Sequence, residues 1–439
     1  MFIKKEDYSL KVKAICIIGM ILYKVILDYS FVKWIAPVFS YYMRLQYIAN
    51  NNKVIISYVL LLIVLVITEF NEKRFSDVFM AVELIVMYIP MLSLYAYSDR
   101  STAFMLVITI SYCIQEAIIR LSRTVCVDKE IVVSGSASIC LEISILALIG
   151  GAMLYSLINY GMGSLAAMDL MNVYSIREGV GYSFPFSYII PWVFKVVCVF
   201  VIVLGMYRKQ IILFLVGFIP QFYLYLIYAN KSTLFSLGLV ILVYYLYSRW
   251  DIIKSLVYGL AGMTLASGVF YSVTGNIYPI SLMVRRTLFV PATIKFSYYD
   301  FFKENELLYF ADNSIGKLFG VTSKYTMEAP KLIASYLGVP DSHCNSGYWG
   351  DAYANYGMAG VVIFSVILVL IVLLVERISK GVPTKVVYPI LIILFYYLND
   401  SALLTWLLGG GAGLVIVFIW LLKNATGDEV NLCFKSIKE

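Results

Sequence analysis

Histidine is nearly missing from this chain, and charge is scarce. One residue in 439 is a histidine, and only 14% are charged. A soluble domain of this length carries about 25% charge, so the shortage excludes soluble readings. What fills the space is apolar: 61% of residues are hydrophobic, and mean hydropathy is +0.85. That is the composition of an integral membrane protein with many spans. The seven cysteines show no CxxC and no metal-ligand spacing. Cys16, Cys113, Cys140 and Cys198 lie in apolar runs, Cys126 and Cys433 in expected cytoplasmic segments, and Cys344 has no partner outside. No disulfide framework is implied. No nucleotide-binding P-loop, HExxH, GxSxG or outside-loop DxD pair occurs, so nothing in the sequence supports a nucleotide site or a metal site.

A span needs about 20 apolar residues. Such runs occur near 14–31, 54–70, 77–97, 102–119, 138–159, 185–205, 210–229, 232–248, 252–271, 347–375, 386–399 and 402–422. The chain therefore reads as an all-α polytopic membrane protein with about 12 transmembrane helices. The start, MFIKKEDYSLKVK, has no small-residue cleavage site after its first apolar stretch, which is read as the first span. The net charge of +7 would suggest nucleic acid in a soluble protein, but here it is explained by topology. With a cytoplasmic N-terminus, inside segments hold about 19 Lys and Arg, and short outside loops hold about 6. The bias places both termini inside.

One connection breaks the pattern of short loops. Residues 272–346 form one large extracytoplasmic loop between an N-terminal helix bundle (1–271, about nine spans) and C-terminal helices with a cytoplasmic tail (347–439, about three spans). Long loops escape the charge rule and are usually functional. Its YYDFF and IASYLG stretches are expected as short helices lying on the membrane surface.

The loop ends in DSHCNSGYWGDAYANYGMAG, residues 341–360, which carries the only histidine, His343. Gly347, Gly350, Gly357 and Gly360 recur at small-residue spacings that let a neighbouring helix or a ligand come close. Asp351 and Asn355 are four apart and share a helix face. An unperturbed imidazole titrates near neutrality. The stretch reads either as a polar cleft at the membrane surface or as a capped loop with small-residue packing. In MVRRTLFVPATIKFSYYDFF, residues 283–302, Arg285 and Arg286 are adjacent. They read either as bidentate phosphate ligands or as snorkelling side chains. Arg177, in MNVYSIREG, and Lys231, in YANKST, leave the same two readings open. Charges in the spans are costly. Lys24 and Asp28, four apart, are expected to pair. Glu83, Glu116, Glu142 and Lys195 are expected mainly in helix–helix contacts.

The ordered set VYSIRE, then RRxxFVPAxxxxxYYDFF, then HxNxGxxGDxYANxGxxG resembles the bacterial O-antigen and capsule repeat-unit polymerases (Wzy), members of the C-type group of membrane glycosyltransferases. The span layout with one large late outside loop is similar too, although the sequence matches concentrate in about 60 residues. The resemblance implies an enzyme of polysaccharide biosynthesis in the bacterial cytoplasmic (inner) membrane, with its active site extracytoplasmic. It would transfer a growing glycan from undecaprenyl diphosphate to a sugar hydroxyl of a new lipid-linked repeat unit, as in lipopolysaccharide or capsule assembly. Donor and acceptor are both undecaprenyl-diphosphate-linked oligosaccharides. Other implied partners are membrane lipids, a chain-length regulator and a flippase, with no nucleic acid, no cofactor and no metal. Under this reading His343 is the general base, with Asp351 as the second choice. Arg177, Arg285, Arg286 and Lys231 bind the diphosphate; Asn345 and Asn355 bind sugar, or Asp351 and Asn355 orient His343. The loop repeats of the RX10G and RX15G type found in some members are not evident around Arg177 or Arg285. An O-antigen ligase of the same group, or a lipid-linked oligosaccharide flippase, remains the alternative.

Overall fold

The computed structural model describes residues 5–48, 50–124, 137–168, 180–313, 316 and 318–425. It is all-helical, 77% helix, with no strand among the described residues. Nine of the described helices are long and apolar enough to cross a membrane. Three more expected runs coincide with shorter apolar helices, Asn51–Ile67, Ser236–Tyr247 and Thr384–Leu398. The protein is thus a polytopic, membrane-embedded helical protein.

The chain divides into two compact units. One comprises Met1–Val125, Asp251–Leu373 and Leu398–Leu403; the other comprises Cys126–Trp250, Leu374–Tyr397 and Leu404–Glu439. In the second, Phe186–Arg208 and Ile211–Tyr228 form the main helix pair. Glu142 is an electrostatic neighbour of Arg208, and the Lys195 ammonium lies 5.4 Å from the Tyr397 ring centre.

The first unit contains most of the expected polar stretches. Its helix Phe75–Tyr97 is buried almost throughout, its polar residues Ser76, Asp77, Glu83 and Ser93 included. Helix Ile252–Thr274 packs on Lys11–Phe39, where Gly268 leaves no room for a side chain against the Trp34 ring. Trp34 Nε1 donates to Ser272 Oγ at 2.9 Å across the same contact. Lys24 and Asp28 pair at 2.7 Å, fully buried, and Tyr58 donates a second hydrogen bond to the same carboxylate at 2.7 Å. Glu83 accepts a hydrogen bond from Tyr348. The spacing of four between Lys24 and Asp28 therefore does what it predicts.

Residues 278–302 form one continuous helical run: Tyr278–Ile280, a π-helical stretch Ser281–Phe289, and Val290–Phe302. YYDFF closes this run instead of lying on a surface as an isolated helix. Tyr298, Tyr299 and Phe302 are buried, because Tyr299 stacks on Phe104 at 4.9 Å and packs on Tyr353 at 4.8 Å. IASY does lie in a short helix, Ala329–Tyr336. The run Gly347–Ile378 is two helices. Tyr356 (φ −140°, ψ 20°) and Gly357 (φ +60°, ψ −148°) break it, and the left-handed φ is one that glycine adopts without steric cost.

Candidate functional site

The arginine pair sits where the helix is wound loosely. Arg285 and Arg286 occupy the π-helical stretch Ser281–Phe289, a geometry frequent at functional sites. Pro291 supplies part of the cause. It has no N–H to return to the carbonyl four residues back, that of Thr287. That carbonyl accepts instead from Asn399 Nδ2 at 3.2 Å.

The two arginines differ in exposure. Arg285 is half-buried and committed: its Nε donates to Ser281 Oγ at 3.0 Å, and its guanidinium lies 4.2 Å from the Phe39 ring centre and 5.1 Å from that of Tyr42. Arg286 is exposed and is an electrostatic neighbour of Asp400. Asp400 keeps solvent contact. Its protein surroundings nevertheless withdraw enough water to push its carboxyl up to about 6, against the pull of Lys295 and Arg286.

Lys295 was not singled out by the sequence, and it is fully buried. Its ammonium donates to Asn399 O at 2.8 Å and to Asn399 Oδ1 at 2.7 Å, with Pro291 O at 3.4 Å. Desolvation lowers it to about 7, with Asp400 opposing. Gly347, with φ +61°, begins the Asp351 helix directly against this group; a Cβ there would collide with Asn399 O and come within 2.7 Å of Lys295 Cε. Gly350 faces the same helix, 3.4 Å from Lys295 Cα and 3.5 Å from Tyr298 Cβ by the same measure. The glycine spacing thus admits a neighbouring helix.

Residues 347–355 carry Asp351 and Asn355. Asn355 is 2% exposed. Its Nδ2 donates to Asp351 Oδ1 at 3.1 Å and to Asp351 O at 2.9 Å, and its Oδ1 accepts from Phe310 N at 2.7 Å. Leu308 N adds a bond to Ala354 O at 2.8 Å. Asn355 therefore fixes the Asp351 carboxylate and straps the 308–310 segment onto the helix end. Asp351 itself is partly exposed.

His343 stands exposed in the preceding loop. The loop is pinned beside it: Cys344 N donates to Pro330 O at 3.0 Å, and Cys344 O accepts from Tyr298 Oη at 3.1 Å. Tyr298 is also an electrostatic neighbour of Asp351, so one buried phenol touches the His343 loop and faces the Asp351 helix. The hydrogen bonds of Asp351 and Asn355 run to each other and to Phe310, and none goes to His343. Asn345 is exposed two residues on. Arg177 and the Lys231 side chain lie outside the described residues.

A second cationic cluster was legible only as loop charge. Arg100, 8% exposed, donates to Arg44 O at 2.7 Å and lies 3.6 Å from Asp300. Arg44 donates to Tyr336 Oη at 2.8 Å and stacks on that ring at 4.1 Å. Burial pushes the Asp300 carboxyl up, while Arg100 and Arg44 pull it down. No sequence pattern announces these contacts. For Lys295 there was a signal: a lone lysine in an apolar, aromatic helix. For Asn399–Asp400 it was a polar pair between two apolar runs.

The first unit holds cationic groups on a loosened helix, a carboxylate held by an amide, and an exposed imidazole. It suits binding of an anionic group and proton transfer from a hydroxyl. Comparison with family models, with curated proteins and with solved structures finds no match.

Proposed function

We propose that this chain is a membrane glycosyltransferase of the C-type group that polymerises undecaprenyl-diphosphate-linked repeat units. The observation that carries the reading is that two of the three quoted motifs lie in one compact unit. The RR-VPA-YYDFF helix and the GDxYANxG helix pack through Gly347 and Gly350, beside the loop bearing His343. The finer topology belongs to the same proposal: twelve spans, both termini cytoplasmic, and 272–346 extracytoplasmic in the inner membrane.

In this reading Arg286, aided by Arg285, meets the donor diphosphate and stabilises the charge that grows as the glycosyl bond breaks. The acceptor hydroxyl loses its proton to His343, or to Asp351 if the imidazole proves dispensable. The glycan passes to the acceptor oxygen, and undecaprenyl diphosphate leaves. Arg177 and Lys231 complete the diphosphate contacts, and Asn345 contacts sugar.

One observation favours a flippase instead. Both carboxylate oxygens of Glu116 and one of Glu83 are buried without a hydrogen-bond partner, and carboxyl groups at membrane depth mark transport paths. Complementation of a polymerase-deletion strain separates the readings. With His343→Ala at matched expression, loss of the glycan ladder while single units still reach the surface supports the polymerase. A normal ladder moves the base to Asp351. Loss of all surface glycan points to export or to a ligase.

A further inference from the structure

Lys295 is a fully buried cation whose hydrogen-bond acceptors are all neutral: two oxygens of Asn399 and one of Pro291. Asn399 is used completely. Its carbonyl and its Oδ1 take Lys295, and its Nδ2 reaches the Thr287 carbonyl, one residue beyond Arg286. Gly347, the first residue of the Asp351 helix, touches both partners of this node. An ammonium withdrawn from water whose hydrogen bonds all go to neutral oxygens, with Asp400 only an electrostatic neighbour, is a costly packing device. A methionine of similar length would fill the space more cheaply, but it would bind neither Asn399 nor, through it, Thr287.

Building on the polymerase reading, we propose that Lys295 and Asn399 are positioning residues. Together they tether the arginine-bearing π-helix to the start of the Asp351 helix and so fix the spacing between diphosphate-binding and proton-accepting groups. Lys295 orients Asn399. Asn399 in turn holds the carbonyl that Pro291 leaves unpaired, which keeps the loosened turn, and Arg286 with it, in one place.

Asn399→Asp separates positioning from packing. It retains both oxygens for Lys295, but it sets an oxygen where Nδ2 met the Thr287 carbonyl, so the tether is cut while the lysine gains a charged partner. The full-length chain in lipid nanodiscs is supplied with lipid-linked repeat units. The expected result is a fall in kcat on the order of tenfold to hundredfold, with KM for the donor within about twofold and the melting temperature retained. Lys295→Met is expected to lower kcat in the same direction. A second readout does not need turnover: spin labels at Leu282→Cys and Tyr356→Cys, both exposed, in a cysteine-free background. Asn399→Asp is expected to broaden the distance between them. Unchanged label distances overturn the tether, whether or not turnover falls, and so does wild-type kcat in Asn399→Asp. A wild-type chain inert in polymerisation counts against the polymerase reading alone, because the label distances still decide the tether.

Discussion

Two lysines are fully buried in the same unit, and they are buried differently. Lys24 lies in helix Lys11–Phe39 and finds Asp28 one turn on, with Tyr58 closing the pair. Lys295 finds its two shortest acceptors 104 residues away, on Asn399, and a longer one at Pro291 on its own helix, and none is charged. The first arrangement is an ion pair within one helix, closed by Tyr58 of helix Asn51–Ile67. The second is a node joining the arginine stretch, the aromatic helix and the head of the Asp351 helix. A buried charge that satisfies itself locally reports on helix packing. One that recruits distant neutral groups reports on geometry that the fold must hold.

The contrast is broken most sharply at Lys24. Lys24→Met strands a buried carboxylate and is expected to lower stability by about 3–5 kcal/mol, whereas Lys24→Met with Asp28→Leu returns close to wild type. Unfolding in mixed micelles measures both. A double variant as unstable as the single one would mean that the pair has ties beyond Tyr58.

The two arginines divide differently, into a half-buried and an exposed cation. Arg286→Ala is expected to cost about a hundredfold in kcat, the scale of one transition-state charge contact. Arg285→Ala is expected to cost less in rate and more in stability, since it packs on Phe39 and Tyr42. Steady-state polymerisation and melting curves on both variants test this; equal rate losses would erase the distinction.

Lys295 adds a pH signature. Its folded value, about 7, lies below the ordinary lysine value of about 10.4, so between these the unfolded chain binds the extra proton. Stability contributed at high pH is therefore lost as pH falls towards about 7, by up to about 2–3 kcal/mol between about pH 9 and about pH 7. Comparing wild type with Lys295→Met isolates the effect; identical slopes would refute it. The smallest expected effect is at Asn355. Asn355→Ala leaves Phe310 N–H unpaired and should cost about 1–3 kcal/mol, read as earlier proteolysis near 308–310.

What the sequence made legible follows the same line. The apolar runs, the Lys24–Asp28 pair and the glycine spacing at 347 and 350 are local patterns, and helical periodicity carries them. The burial of YYDFF was not legible, because an aromatic run suits a membrane surface as well as it suits stacking on Phe104. Lys295, Asn399 and the Arg44–Arg100–Asp300 cluster are products of long-range closure, which no window of the sequence contains. The quoted motifs placed Asp351 and Asn355 on one helix, but the strap at Phe310 that occupies Asn355 was visible only in three dimensions.

The break at Tyr356 and Gly357 gives the helix that carries Asp351 a swivel. A span leans to match the thickness of its bilayer, and an unbroken helix would swing Asp351 with it. With the helix broken, a lean of the segment after Gly357 need not be passed to residues 347–355, which Lys295, Asn399 and Phe310 contact. Membranes of different thickness would then present the carboxylate to the same address.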